Sequence, residues 1–247
     1  MKDLEIILKL ILIKLEGESN MTRFEKFEER WIIKGKIICE TNFAIGSGQY
    51  TSSGDPAPIM KTQDDKPYIP GSTLKGATRA ASERILNGLG IAICSNKTHA
   101  DSKLCKSCEI FGAMSYGSKV LFRDSIANKY STSVKTGIAI DLDTRATKRG
   151  AKYDIELVEA GSEFPIEIVF ENPKDDEPAI LFAALKSIPA IGGHTSRGLG
   201  KVKIEIEKIE IYSPKNYFTP IVKPSKIIEK EELSKYITAI SKPYIKE

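Results

Sequence analysis

The sequence predicts an α+β domain of ferredoxin-like, or RRM-like, plan. Its elements run βαββαβ, forming an antiparallel sheet with two helices on one face. Three observations carry this. Residues 31–41, "WIIKGKIICET", alternate: Trp31, Ile33, Ile37 and Cys39 face one way, Lys34, Lys36 and Glu40 the other. That is the period-two mark of a strand with one wet face. Residues 176–188, "DEPAILFAALKSI", read as a helix with a proline near its first turn. Residues 201–212, "KVKIEIEKIEIY", alternate again, and the alternation slips near Glu207 as at a bulge.

The remaining elements fall between these. Ser72 is a good N-cap for a helix that ends near Asn87 and Gly88, with Leu74, Ala77, Ala81 and Ile85 on its inner face. Residues 119–125, "KVLFRDS", and 164–170, "FPIEIVF", read as strands. The core then spans 31–213 and carries three long insertions, 42–71, 89–118 and 127–163. Loops of that length in a compact domain are usually functional. Residues 1–30 form an N-terminal extension whose first twenty residues fit the rest poorly. Either Met21 is the start, or the segment is a helix lying on the body. Residues 214–247 form a tail with a short helix near Glu231–Ile240.

Composition sets outer bounds. The chain has 247 residues, 41% hydrophobic and 28% charged, which suits a buried core and excludes a disordered chain. Its net charge of +4 permits a nucleic-acid partner without demanding one. The longest apolar run, Ile6 to Leu15, contains Lys9 and Lys14 and is about half a bilayer span, so no membrane segment is expected. No small-residue cleavage site follows it, which leaves the cytoplasm as the expected location. The richness in Lys, Glu and Ile points to a hot habitat.

The strongest chemical signal lies in the second insertion, "CSNKTHADSKLCKSCEIFG". Cys94, His99, Cys105 and Cys108 form a four-ligand set of the structural zinc type, with the C-x-x-C thiolates meeting one ion at tetrahedral angles. Metal binding would supply folding energy to a loop too polar to fold by itself. The alternative is a redox pair or disulfide. Cys39, on the apolar face of a strand, reads as a core residue.

Two further stretches point to anions. "YIPGSTLKGATR" places Gly71 and Ser72 at a helix start, with Lys75 and Arg79 on one face. A helix N-terminus beside cations favours phosphate. "GGHTSRGLGKV", residues 192–202, offers backbone amides around Gly193 and donors from His194, Thr195, Ser196 and Arg197. The two are expected to close into one groove for several phosphates, as a nucleic-acid backbone presents them. The third insertion agrees. From Lys119 to Tyr153 eight cations, Arg145 and Arg149 among them, face three anions. On a long hairpin with Tyr130 and Tyr153, that suits a strand-gripping arm.

"YIPGSTLKGATR", "CKSCEIFG", "VLFRDS" and "GGHTSRGLGKV", in this order, resemble the RAMP superfamily of CRISPR-Cas systems, above all the backbone subunit of type III (Csm/Cmr-type) effector complexes. The resemblance spans roughly Trp31 to Tyr212. It implies a zinc-bearing insertion and a protruding thumb, about 127–163. It also implies copies or paralogues stacked as a helical filament along a guide RNA, in an antiviral complex. The guide backbone would lie across the helix start and the glycine-rich loop. The thumb would wedge the duplex of guide and target RNA, with sequence read by base pairing.

Many such subunits also cut target RNA through an Asp two residues before a Pro, in the loop after the first strand. Here "SSGDPAPIMKTQDDKPYIPGS" has Pro56 at that place, counting from Pro58, and Asp55 one residue away. Asp55 is the candidate, holding Mg2+ or Mn2+ or positioning the RNA 2′-hydroxyl; the alternative is a turn residue. Asp64 and Asp65 read as turn residues. A second functional class is the stand-alone RAMP endoribonuclease that processes repeat RNA. Such enzymes resemble tandem ferredoxin-like domains with a catalytic His. One core is visible here, and the only histidines are His99 and His194.

Overall fold

The structure is a computed structural model that describes residues 26–46, 58–94, 104–114, 116–140 and 145–245. The expectations for residues 1–20, Asp55 and His99 fall outside them. The chain is a mixed α and β protein built on antiparallel sheets. Its strands are β1 (Arg30–Cys39), β2 (Tyr68–Ile69), β3 (Val120–Phe122), β4 (Ser125–Ile126), β5 (Thr132–Ile140), β6 (Thr147–Val158), β7 (Glu163–Glu171), β8 (Val202–Tyr212) and β9 (Lys226–Glu229). Its helices are α1 (Gly71–Gly88), α2 (Lys106–Phe111), α3 (Glu177–Ser187) and α4 (Lys230–Ile245). The main sheet has the order β3-β7-β1-β8-β9.

β1 forms because its odd positions are apolar and its even positions are mostly polar, and the burial follows. Trp31, Ile33, Gly35, Ile37 and Cys39 are buried, while every even position from Arg30 to Ile38 is only partly covered. β7 repeats the pattern with Phe164, Ile166, Ile168 and Phe170. These faces meet Leu74, Ala81 and Leu86 of α1 and Ile180, Leu181, Ala184 and Leu185 of α3 in one core. Each buried Leu, Ile or Phe among them stabilises the fold by roughly 1.5–3 kcal/mol. α3 is buried on nearly all sides, since α1, α4 and the sheet surround it; a helix that is apolar all round requires that.

The slip expected near Glu207 is present. Lys34 pairs with Lys208 but Gly35 pairs with Ile206, so Glu207 is the extra residue of a bulge. Three details differ from the sequence reading. The strand expected over 119–125 breaks at Arg123–Asp124 into β3 and β4, and β4 turns away to pair with β2. Pro70, not Ser72, is the N-cap of α1, and no side chain of its own segment caps it. The tail also joins the core: β9 pairs with β8, and Ile228 and Leu233 are buried in the same cluster.

The third insertion is a long hairpin. β5 and β6 pair from Thr132↔Val158 to Ile140↔Thr147 and form their own two-stranded sheet. Val134, Ile138, Ile140, Tyr130 and Tyr153 are exposed on or beside it.

Candidate nucleic-acid interface and metal centre

The helix start is held against the sheet edge by backbone proximity. A Cβ on Gly71 would stand 2.2 Å from the Phe122 carbonyl oxygen, so only glycine lets α1 approach β3 this closely. The Gly71 N–H donates to Asp124 Oδ1 at 2.7 Å. The anion at the helix start is therefore in the first instance the protein's own carboxylate, from the "FRDS" stretch. Beyond it lies a groove of about 500 Å³ lined by Ser72, Lys75, Leu121 and Val169 and by two ion pairs, Arg30–Glu171 and Arg123–Glu167. Lys75 forms no ion pair among the described residues. Burial, with the nearby Arg79 charge, lowers its pKa, as expected of a cation left without a counter-ion.

Arg79 does not serve this groove. Its Nε donates to Glu83 Oε1 at 2.8 Å, its Nη1 to the Gly112 carbonyl at 2.9 Å and its Nη2 to Cys108 Sγ at 3.2 Å. One turn further along α1 than Lys75, it points into the cysteine insertion and ties that insertion to the helix.

The glycine-rich loop stands elsewhere. Gly193 N–H donates to Ala44 O and Gly200 N–H to Asn42 O, so the loop packs on the segment leaving β1, not on the start of α1. Gly192, at φ 90°, would bring a Cβ within 2.4 Å of the Ala44 carbonyl, which explains the glycine there. Residues 192–198 are all exposed, Gly193, Ser196 and Arg197 included. His194 is left-handed, and its Nδ1 lies 3.5 Å from Arg197 Nη1.

The expected single groove is thus two separate places. Strand register puts Phe122 level with Ile33, through Ile168, and Val202 level with Cys39. Six residues along the strand and three strand spacings across separate them by roughly 25 Å, at about 3.4 and 4.8 Å per step. Arg145 is exposed at the tip of the β5–β6 hairpin. Arg149 lies in β6, with its side chain outside the described residues. The sequence reading does not single out Arg30, and it counts Arg123 and Asp124 with the third insertion, not with the helix start. Arg30 stands on the wet side of β1, and the one signal for Asp124 was its place in "FRDS".

The cysteine insertion brings three thiols together. Cys94 Sγ and Cys108 Sγ are 3.4 Å apart and Cys105 Sγ and Cys94 Sγ 3.5 Å, and no disulfide joins them. Three ligands at about 2.3 Å around a tetrahedral ion would sit roughly 3.8 Å from one another. The cluster could therefore hold a metal ion. Burial pushes the Cys108 thiol up to about 12. Burial also opposes Cys105, but hydrogen bonds from Cys94 and Cys108 outweigh it and lower its pKa. Cys39 is buried in the core as expected, its thiol likewise raised to about 12 by burial.

Fold and sites together describe a mixed α and β protein with a lysine unpaired among the described residues in a groove at a helix start, an exposed glycine-rich loop and a thiol cluster able to hold a metal ion. The profile of the RAMP superfamily matches residues 36–203, and the chain belongs to that superfamily. It is similar to the CRISPR system Cms endoribonuclease Csm3 of Methanocaldococcus jannaschii, at 29% identity over 206 residues, 76% of this chain and 83% of that one. It is also similar to the protein of the same description from Methanothermobacter thermautotrophicus, at 26% identity over 222 residues, 74% of this chain and 87% of that one. No helix among the described residues is long and apolar enough to cross a membrane.

Proposed function

We propose that this chain is the guide-RNA-binding backbone subunit of a type III CRISPR-Cas interference complex, and that it cuts target RNA paired to the guide. The likeness to two Csm3 endoribonucleases over about three quarters of the chain supports the class. The observation that carries the mode of binding is the separation of the two donor sites. Lys75 with the groove, and the amide-rich loop around Arg197, stand roughly 25 Å apart by the strand spacings. A small anion cannot engage both; an extended phosphate backbone can.

The core is ferredoxin-like in this reading. β1, α1, β3, β7, α3 and β8 give the βαββαβ order, with β9 added at the edge. The β5–β6 hairpin is the thumb, and its exposed apolar residues and Arg145 face the guide–target duplex. Copies or paralogues stack into a filament along the guide. Cys94, Cys105 and Cys108, with His99 as fourth ligand, hold a structural zinc ion that fixes the insertion against α1 through Arg79. Asp55 acts in cleavage, holding Mg2+ or Mn2+ or orienting the 2′-hydroxyl.

The test is the complex assembled on guide RNA and given complementary target RNA with Mg2+. Regularly spaced cuts in the target, and none in isolated repeat RNA, are expected. Cleavage of isolated repeat RNA without metal by this chain alone would overturn the reading in favour of a guide-processing enzyme.

A further inference from the structure

At the end of the sheet where β1 begins and β8 ends, the chain makes a turn with no part in the sites above. Residues 214–218 form a 3₁₀ turn, fixed from within by Asn216. Its Oδ1 accepts from Ser213 N–H at 2.6 Å, Ser213 Oγ at 2.9 Å and Ser225 Oγ at 2.6 Å. Tyr217 is fixed from below. Arg30 Nη1 donates to its hydroxyl at 3.1 Å, the Arg30 guanidinium lies 5.6 Å from its ring, and Phe27 meets that ring edge-on at 5.6 Å. The next residue, Phe218, is 90% exposed. A large aromatic ring is thus presented to solvent beside a turn held by its neighbours' contacts, where water gives it no stabilisation.

Charge indicates what covers it. From Ser213 to Ile228 there are three lysines, Lys215, Lys223 and Lys226, and no acidic residue. Lys215 and Lys223 form no ion pair among the described residues. Arg30, which supports Tyr217, also lines the groove at the helix start with Lys75 and Arg123. The groove and the turn are therefore neighbours, with Arg30, itself paired to Glu171, between them; the cations left unpaired among the described residues are Lys75 on one side and Lys215 and Lys223 on the other. A second copy of this face would bring like charge against like. A polyanion with stackable rings fits both features: cations for its phosphates and an exposed aromatic ring for a base.

We infer that Phe218 is a base-stacking site for single-stranded RNA, extending the path from the helix-start groove across Arg30 to the C-terminal turn. This rests on the RNA-binding reading above. The contact is independent of sequence, because every base offers a π-face. Its partner is a nucleotide lying beyond the groove on the side away from the glycine-rich loop.

The experiment uses the full chain and two probes, a single-stranded oligouridylate and an oligomer of equal length and charge with abasic sugars. Phe218→Ala should weaken oligouridylate binding about tenfold, a typical stacking loss for one base. The salt slope should stay unchanged, because no charge is removed. Phe218→Trp should keep the affinity, and oligouridylate but not the abasic oligomer should quench the new indole emission. The native Trp31 is the chain's only tryptophan and is buried, so it contributes little to that signal. Unchanged binding by Phe218→Ala with no quenching overturns the inference. If the joint change of Lys75 and Arg197 still flattens the salt slope, the RNA-binding reading survives; if it does not, both fall. Phe218→Ala that leaves RNA affinity intact but alters the sedimentation of the chain also overturns the inference, and makes the turn a protein contact.

Discussion

Arg79→Met separates a structural cation from a binding one on a single helix. Lys75 and Arg79 lie one turn apart on α1, and by spacing alone both face the same ligand. The structure gives them opposite roles. Arg79 directs three donors to Glu83, the Gly112 carbonyl and Cys108 Sγ, and its side chain is only 17% exposed beside Glu83 at 23%. Methionine keeps most of the apolar stem but removes all three bonds. The Glu83 carboxylate loses its cation and keeps the Ser107 hydroxyl, and the buried Gly112 carbonyl loses its donor. A hydrogen bond to a charged group contributes about 1.5–3 kcal/mol, and breaking a buried pair costs roughly 3–5 kcal/mol. The low end is appropriate at this exposure, so about 3 kcal/mol is expected. In a chain of this length that lowers the melting temperature by about 6–12 °C. Urea unfolding followed by circular dichroism reads the same loss from the midpoint at constant slope. RNA affinity measured well below the transition should keep its salt slope. A stability loss under about 1 kcal/mol, or a flattened salt slope, would refute the assignment.

The other expectations are briefer. Replacing Lys75 and Arg197 together should weaken guide binding about equally across RNA sequences and reduce the salt slope by about two, measured by filter binding from low to moderate salt; an unchanged slope places the phosphates elsewhere. Protein purified without chelator should carry about one zinc per chain by elemental analysis, and Cys105→Ser should lose it. Zinc affinity should rise with pH: the Cys108 thiol is held up near 12 without metal, so protons compete with the ion throughout the neutral range. A chelator competition at pH 6 and pH 8 should find tighter retention at the higher value, and equal retention would contradict this. Asp55→Ala should abolish divalent-dependent cutting of paired target RNA while guide binding persists; cutting that survives rejects Asp55.

The parts of the fold that were legible are those where one face is buried and the other wet. β1, β7 and β8 declared themselves by alternation, and even the bulge at Glu207 showed as a broken period. What failed depended on partners distant in sequence. Ser72 has the chemistry of an N-cap, yet Asp124, 53 positions beyond Gly71, supplies the carboxylate, because Gly71 is pressed against Phe122. Arg79 and Lys75 are indistinguishable in a helical pattern until the cysteine insertion folds back onto one of them. β9, four residues long, carries too few alternations to stand out in a lysine-rich tail. The two anion-binding stretches were each legible, but their relation was not. It depends on strand order, which sets β3 and β8 on opposite sides of the pair β7–β1.

The distribution of paired and unpaired charge narrows the RNA path further. The open face of the sheet is rich in cations, as a base-binding sheet would be, but they are mostly neutralised in place. Arg30 meets Glu171, Lys34 and Lys208 share Glu210, Lys36 lies between Glu163 and Glu207, and Lys203 meets Glu205. Such exposed pairs add little stability, yet each one removes a counter-charge that a phosphate would need. Glu210 is held as a carboxylate: burial opposes its charge, but Lys208 and Lys34 outweigh that and lower its pKa. Cations without ion-pair partners among the described residues include Lys75 at the helix start, Arg197 in the glycine-rich loop and Lys215 and Lys223 at the C-terminal turn. They stand around the rim of the sheet. A polyanion attracted to this molecule would therefore run along the ends of the strands and contact loops, leaving the middle of the sheet to its own ion pairs. That is the opposite of a fold that reads bases across its strands, and it fits a subunit that grips backbone and leaves sequence to base pairing.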